Sequence, residues 1–88
     1  MDLDTRKKRL KFRSWHRGTQ EADIILGGFV DEILDQLSAG DCQYLETLFE
    51  EQDQDILAWA TGARPLPDQF NHLLFEKLRA RIAGKSLS

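Results

Sequence analysis

The groups best placed to do chemistry lie between Trp15 and Asp23, in the run Trp-His-Arg-Gly-Thr-Gln-Glu-Ala-Asp. Arg17 offers a planar fork of donors suited to a carboxylate or a carbonyl. Glu21 stands four residues on and can pair with Arg17 or with a cation on a partner. Gly18 between them lets the chain reverse and leaves bare backbone open to close approach. Those three residues also suit a plain turn closed by a salt bridge, and residue types alone favour that reading without closing the other. Ser14, His16, Glu21 and Asp23 supply the types of a nucleophile–base pair, but such a pair is defined by geometry that spacing does not give. The lone Cys42 has no intrachain disulfide partner, and with two distant histidines it forms no zinc constellation. No metal site and no catalytic residue is therefore assigned.

The elements that position this run are helical. Helix 1 is expected from about Asp4 to His16, ended by Gly18. Thr19 is placed to cap helix 2, with Glu21 and Asp23 in a first turn where acids complement the helix dipole. Ile25, Phe29, Ile33 and Leu37 form its inward stripe, with Leu26, Val30 and Leu34 beside it. Gly27-Gly28 interrupts that stripe and is read as a patch where another helix comes close. Ser38-x-x-Asp41 reads as a capping box opening helix 3, Ala39 to about Glu51. Asp53 is expected to cap helix 4, Gln54 to Thr61, which Gly62 ends. Arg64-Pro-Leu-Pro67 is an extended connector. Helix 5 is expected from Asp68 to Ala83, stopped by Gly84. No segment alternates with period two, so the class is all-α, a compact bundle of five short helices. Ile25, Phe29, Ile33, Leu45, Leu48, Leu57, Leu73, Leu74 and Leu78 are the expected core.

With 88 residues, 41% of them hydrophobic, the chain suits one small globular domain spanning 1–88, with residues 1–3 and 85–88 frayed. The longest nearly apolar run, Ile24 to Val30, is far short of the ~20 residues that span a bilayer. The start of the chain has cations but no apolar stretch of a secretory signal. These features predict a bacterial cytoplasmic protein with no membrane insertion.

The net charge of −3 hides a division. Seven of the twelve cations fall between Arg6 and Arg17. From Gly18 to Ala63 there are none, while eleven acids crowd that stretch. The two blocks either attract each other within the fold or form a two-faced surface that orients a partner. The basic first helix, with Phe12 and Trp15 interleaved, also fits a nucleic-acid surface, with cations on phosphates and a ring stacked on a base. The acidic remainder, and the lack of a second basic helix, weigh against that alternative.

Arg17-Gly18-Thr19-Gln20-Glu21 resembles the Arg-Gly-x-x-Glu signature of the succinate dehydrogenase assembly factors, the flavinators. The likeness continues upstream in Arg9-Leu-Lys-Phe-Arg-Ser-Trp-His16 and downstream in Glu21-Ala-Asp-Ile-Ile-Leu-Gly27 and Phe29. It resumes at Leu45-Glu-x-Leu-Phe-Glu50, Asp53-x-Asp-Ile-Leu-Ala-Trp59, Gly62 and Pro67. It thus covers nearly the whole chain in order, although Trp15-His16 stands where many members have small or basic residues. The resemblance implies a five-helix bundle that binds the flavoprotein subunit of succinate dehydrogenase and promotes covalent attachment of FAD to it. Fumarate reductase flavoprotein is a second candidate partner. Arg17, Gly18 and Glu21, flanked by Trp15, His16 and Asp23, become the expected partner-binding residues. FAD would belong to the partner, with no cofactor held tightly by this chain, and the free chain would be a monomer that assists rather than catalyses.

Overall fold

The first three helices each begin where a short polar side chain closes the first turn. In a computed structural model, which describes residues 2–87, the Asp2 carboxylate accepts the Thr5 N–H at 2.7 Å and opens α1 (Leu3–Trp15). That start is one residue earlier than expected. Of the ends expected to fray, Met1 and Ser88 lie outside the described residues. Thr19 Oγ1 accepts the Ala22 N–H at 3.2 Å and opens α2 (Gln20–Ile33). Ser38 and Asp41 form the reciprocal capping box of α3 (Ala39–Leu48). Gly62, at φ +85°, ends α4 (Asp53–Thr61). The last helix is α5 (Leu73–Leu87). No strand occurs among the described residues, so the protein is all-α with five helices, joined in part by two 3-10 turns.

The chain's contacts divide into two units, residues 1–50 and 51–88. In the first, α1 packs along α2 and against α3. Trp15 donates from Nε1 to Asp31 Oδ2 at 3.1 Å, and Lys7 Nζ lies 3.4 Å from the Asp35 carbonyl. Descending α1 therefore means advancing along α2, so the pair is antiparallel. Leu10, Ala22, Leu26, Val30, Cys42 and Leu45 are fully buried, with Phe29, Ile33, Leu37 and Leu48 almost so. The inward stripe of α2 has the expected period, rotated so that Leu26 and Val30 lie deepest and Ile25 is only half-buried.

Gly27 explains how closely α1 approaches. A Cβ built there would collide with the indole of Trp15, which lies flat over the glycine. Gly27→Ala forces that ring to move or leave, breaking its bond to Asp31. A helix-interior alanine gains back about 1 kcal/mol over glycine, whereas overpacking costs about 1–3 kcal/mol. The expected result is a net loss of up to about 2 kcal/mol in urea unfolding. A Trp15 emission that shifts to the red as the ring becomes wetter should accompany it. An unchanged midpoint and emission would contradict this packing.

In the second unit, Trp59 and Phe70 rings lie 5.4 Å apart, and Arg79 Nη2 donates to the Trp59 carbonyl at 3.2 Å, tying α5 to α4. Several expectations do not hold in this unit. Asp53 is the first residue of α4 rather than its cap; Gln52 holds that position without a side-chain bond. Helix 5 does not run unbroken from Asp68. Asp68–Phe70 is a 3-10 turn, and Asn71 is extended at φ −71° and ψ 106°. His72 Nδ1 then accepts the Leu74 N–H at 3.0 Å, as an N-cap does. The break resets the helical phase. Leu74 and Leu78 are buried as expected, with Phe75 joining them, but Leu73 is 68% exposed; Leu57 is half-buried. Gly84 does not stop α5, because glycine permits the left-handed conformation without compelling it, and among the described residues only Gly18 and Gly62 adopt positive φ.

Candidate functional site

The site is built on the turn that joins α1 to α2. His16 ends α1 with an N–H bond back to the Arg13 carbonyl. Its ring Nδ1–H donates to the Phe12 carbonyl at 2.7 Å, and the ring stacks on Phe12 with centroids 3.9 Å apart. Both side chains are exposed, Phe12 by 62%. Trp15 faces the other way, over Gly27. The two aromatics of the basic helix therefore have different duties: Trp15 packs, and Phe12 stays in solvent.

Arg17 and Asp23 close the turn. The Arg17 backbone N–H donates to Asp23 Oδ1 at 2.6 Å, which fixes the exit of α1 against the first turn of α2. Gly18 sits between them at φ +112°, with open space where a side chain would project. The Arg17 side chain turns toward the end of α3 instead of following its own turn. Its Nη1 donates to the Phe49 carbonyl at 2.7 Å, and the guanidinium carbon lies 5.3 Å from the Phe49 ring centroid. A carbonyl at a helix C-terminus is one of those left without an intrahelical donor, so a cation there is well matched.

The salt bridge between Arg17 and Glu21 that the spacing allows is not made. Glu21 is exposed in the first turn of α2 and has neither hydrogen bond nor ion pair among the described residues. The carboxylate that holds the turn is Asp23, and the one that waits in solvent is Glu21. Spacing does not separate the two carboxylates, and it does not point to Phe49, which lies 32 residues from Arg17.

Ser14, His16 and Asp23 are each committed elsewhere. Ser14 is buried with its hydroxyl donating to the Lys11 carbonyl at 2.9 Å, His16 holds Phe12, and Asp23 holds Arg17. They are not brought together as a nucleophile and base.

The charge blocks meet in part. Arg6 grips Glu46 through two bonds, Nε to Oε2 at 3.1 Å and Nη2 to Oε1 at 2.8 Å. The Arg6 guanidinium holds the Glu46 carboxyl below its ordinary range. Lys11 stands 3.9 Å from Asp31, a looser exposed pair.

The sequence has known relatives. Residues 8–82 match the family model described as flavinator of succinate dehydrogenase. The chain is 41% identical over 68 residues to the FAD assembly factor SdhE of Acetobacter pasteurianus, covering 77% of this chain and 62% of that protein. It is 35% identical over 82 residues to the mitochondrial succinate dehydrogenase assembly factor 2-B of Drosophila yakuba, covering 91% of this chain and 53% of that one. A similar factor of Meyerozyma guilliermondii is 39% identical over 70 residues, covering 76% of this chain and 52% of that one. The chain thus spans between half and two thirds of the length of these relatives. It belongs to the family of succinate dehydrogenase flavinators. The match includes the whole Trp15–Asp23 turn.

Proposed function

We propose that this chain binds the flavoprotein subunit of succinate dehydrogenase and promotes covalent attachment of FAD to it. The observation that carries the reading is the state of Glu21. Within a turn where Arg17, Thr19 and Asp23 are all engaged, the carboxylate of the family's signature is left exposed, three residues from a glycine with no side chain to obstruct approach. An assembly factor's name on the relatives supports the same reading.

The mechanism is assistance. Covalent attachment joins a histidine of the flavoprotein to the 8α-methyl carbon of FAD, and those reacting groups belong to the partner. A small helical protein accelerates such a step by binding the arrangement in which they are aligned more tightly than the others. Glu21 meets a cation or an N–H of the flavoprotein. Arg17, already seated on Phe49, gives that contact a fixed cationic neighbour. The chain holds no FAD of its own, acts in the bacterial cytoplasm as a monomer when free, and serves the fumarate reductase flavoprotein as a second client. No helix among the described residues is long and apolar enough to cross a membrane.

Deleting the gene in its own host and reading protein-bound flavin fluorescence on a denaturing gel tests the function. Loss of the flavoprotein band, restored by the plasmid-borne chain, is expected. Full covalent flavin in the deletion strain would overturn the reading.

A further inference from the structure

One face of α1 is not used by the turn. Arg6, Arg9 and Arg13 line an open cleft of about 310 Å³, together with Glu46 and Glu50. Arg6 is committed to Glu46. Arg9 and Arg13 make no side-chain hydrogen bond or ion pair among the described residues, and neither does Glu50. The charge of Arg9 and Arg13 nevertheless reaches the cleft, where both help to lower the Glu46 carboxyl after Arg6. The cleft runs toward the candidate site: Glu50 follows Phe49, on which Arg17 rests, and Arg13 lies four residues before Arg17.

We propose that this cleft seats an acidic segment of the partner protein, with carboxylates on Arg9 and Arg13 and a main-chain N–H on Glu50. The inference rests on the reading above for the identity of that partner, a flavoprotein. Two guanidiniums four residues apart on a helix stand about 5–6 Å from each other at Cβ. Alternate side chains on one face of an extended segment repeat at about 6.5–7 Å, within the reach of two arginine stems. Each guanidinium can then take its carboxylate in a paired fork. The same cleft is poorly suited to a nucleic acid. A phosphate chain would run its charges past Glu46 and Glu50, and it lacks the main-chain donor that the unpaired Glu50 accepts. A peptide brings both carboxylates and N–H groups.

Calorimetric titration of the chain with purified apo-flavoprotein tests this, using the double variant Arg9→Gln/Arg13→Gln and the control Lys8→Gln from an exposed part of α1. Hexaglutamate and hexathymidylate serve as simple probes of the cleft. The double variant is expected to bind the flavoprotein at least about 30-fold more weakly and with a shallower salt dependence, and the control to stay within about threefold. Its melting temperature should match wild type, since neither arginine holds another element. Wild type should take hexaglutamate in preference to hexathymidylate, and the double variant should take neither. Flavoprotein binding by the double variant within about threefold of wild type would overturn the proposal. So would a preference for hexathymidylate. If the flavoprotein fails to bind wild type while hexaglutamate is taken and lost with the two arginines, the acidic-segment site stands and the flavoprotein reading falls.

Discussion

Glu21→Ala weakens binding to the flavoprotein by at least about 30-fold while leaving the melting temperature nearly unchanged. In the free chain the side chain makes no hydrogen bond or ion pair with the described residues, so its removal costs chiefly its interaction with the α2 dipole, about 0.3–1 kcal/mol. In the complex it becomes one half of a desolvated charged contact. Truncating one partner of such a contact costs about 2–5 kcal/mol. The control is Asp35→Ala. Asp35 is exposed in the 3-10 turn after α2, and the bond it receives from Lys7 goes to its backbone carbonyl, which alanine keeps. Its effect on binding stays below about 1 kcal/mol. The other nearby acids are poor controls: Asp23 closes the turn and Asp31 anchors Trp15. Arg17→Ala does not behave like Glu21→Ala. It loses the Phe49 carbonyl bond and the ring contact as well, so about 1–3 kcal/mol of stability falls with the affinity. Equal affinities for Glu21→Ala and Asp35→Ala would reduce the signature to a well-capped turn.

That difference between neighbouring acids marks where sequence reading stops. Thr19, Ser38-Asp41 and Gly62 were legible because a cap is settled within three or four residues of chain. The stripe through Phe29 and Ile33 was legible because a helix repeats with a fixed period. The phase of α5 was not, because it depends on one extended residue, Asn71, and on a histidine ring acting as a cap. Nothing in the apolar spacing of Phe70, Leu73 and Leu74 announces that break. In the candidate site, the glycine's role followed from its type. The partners of Arg17 did not: Asp23 reaches it across a reversal of the chain, and Phe49 reaches it from another helix. A carboxylate's duty is set by which donor the fold brings within 3 Å, and Glu21 and Asp23 differ in nothing else that spacing reveals.

Gly18 separates the turn's shape from its accessibility. Its φ of +112° lies well beyond the left-handed well near +60° that side chains tolerate. Any substitution strains the backbone by about 1–3 kcal/mol, lowering the melting temperature of a chain this size by several degrees. Yet a Cβ there meets nothing within 4 Å, so a side chain would start into open space. Gly18→Ala and Gly18→Arg therefore carry the same strain and should melt within about 3 °C of each other with equal helical circular dichroism. They differ in what they present to a partner. Alanine adds one methyl group to the exposed corner between Arg17 and Glu21. Arginine adds a long cation that stands in the way of approach and competes for Glu21. In the host strain, Gly18→Ala should retain most of the covalently bound flavin and Gly18→Arg should lose at least about nine tenths of it, a change that strain common to both variants does not explain. The readout is flavin fluorescence of the flavoprotein band, normalised to the amount of each variant in the cell. Normal covalent flavin with Gly18→Arg would show that the corner is not where the partner binds. Equal loss with both variants would assign Gly18 to the shape of the turn alone.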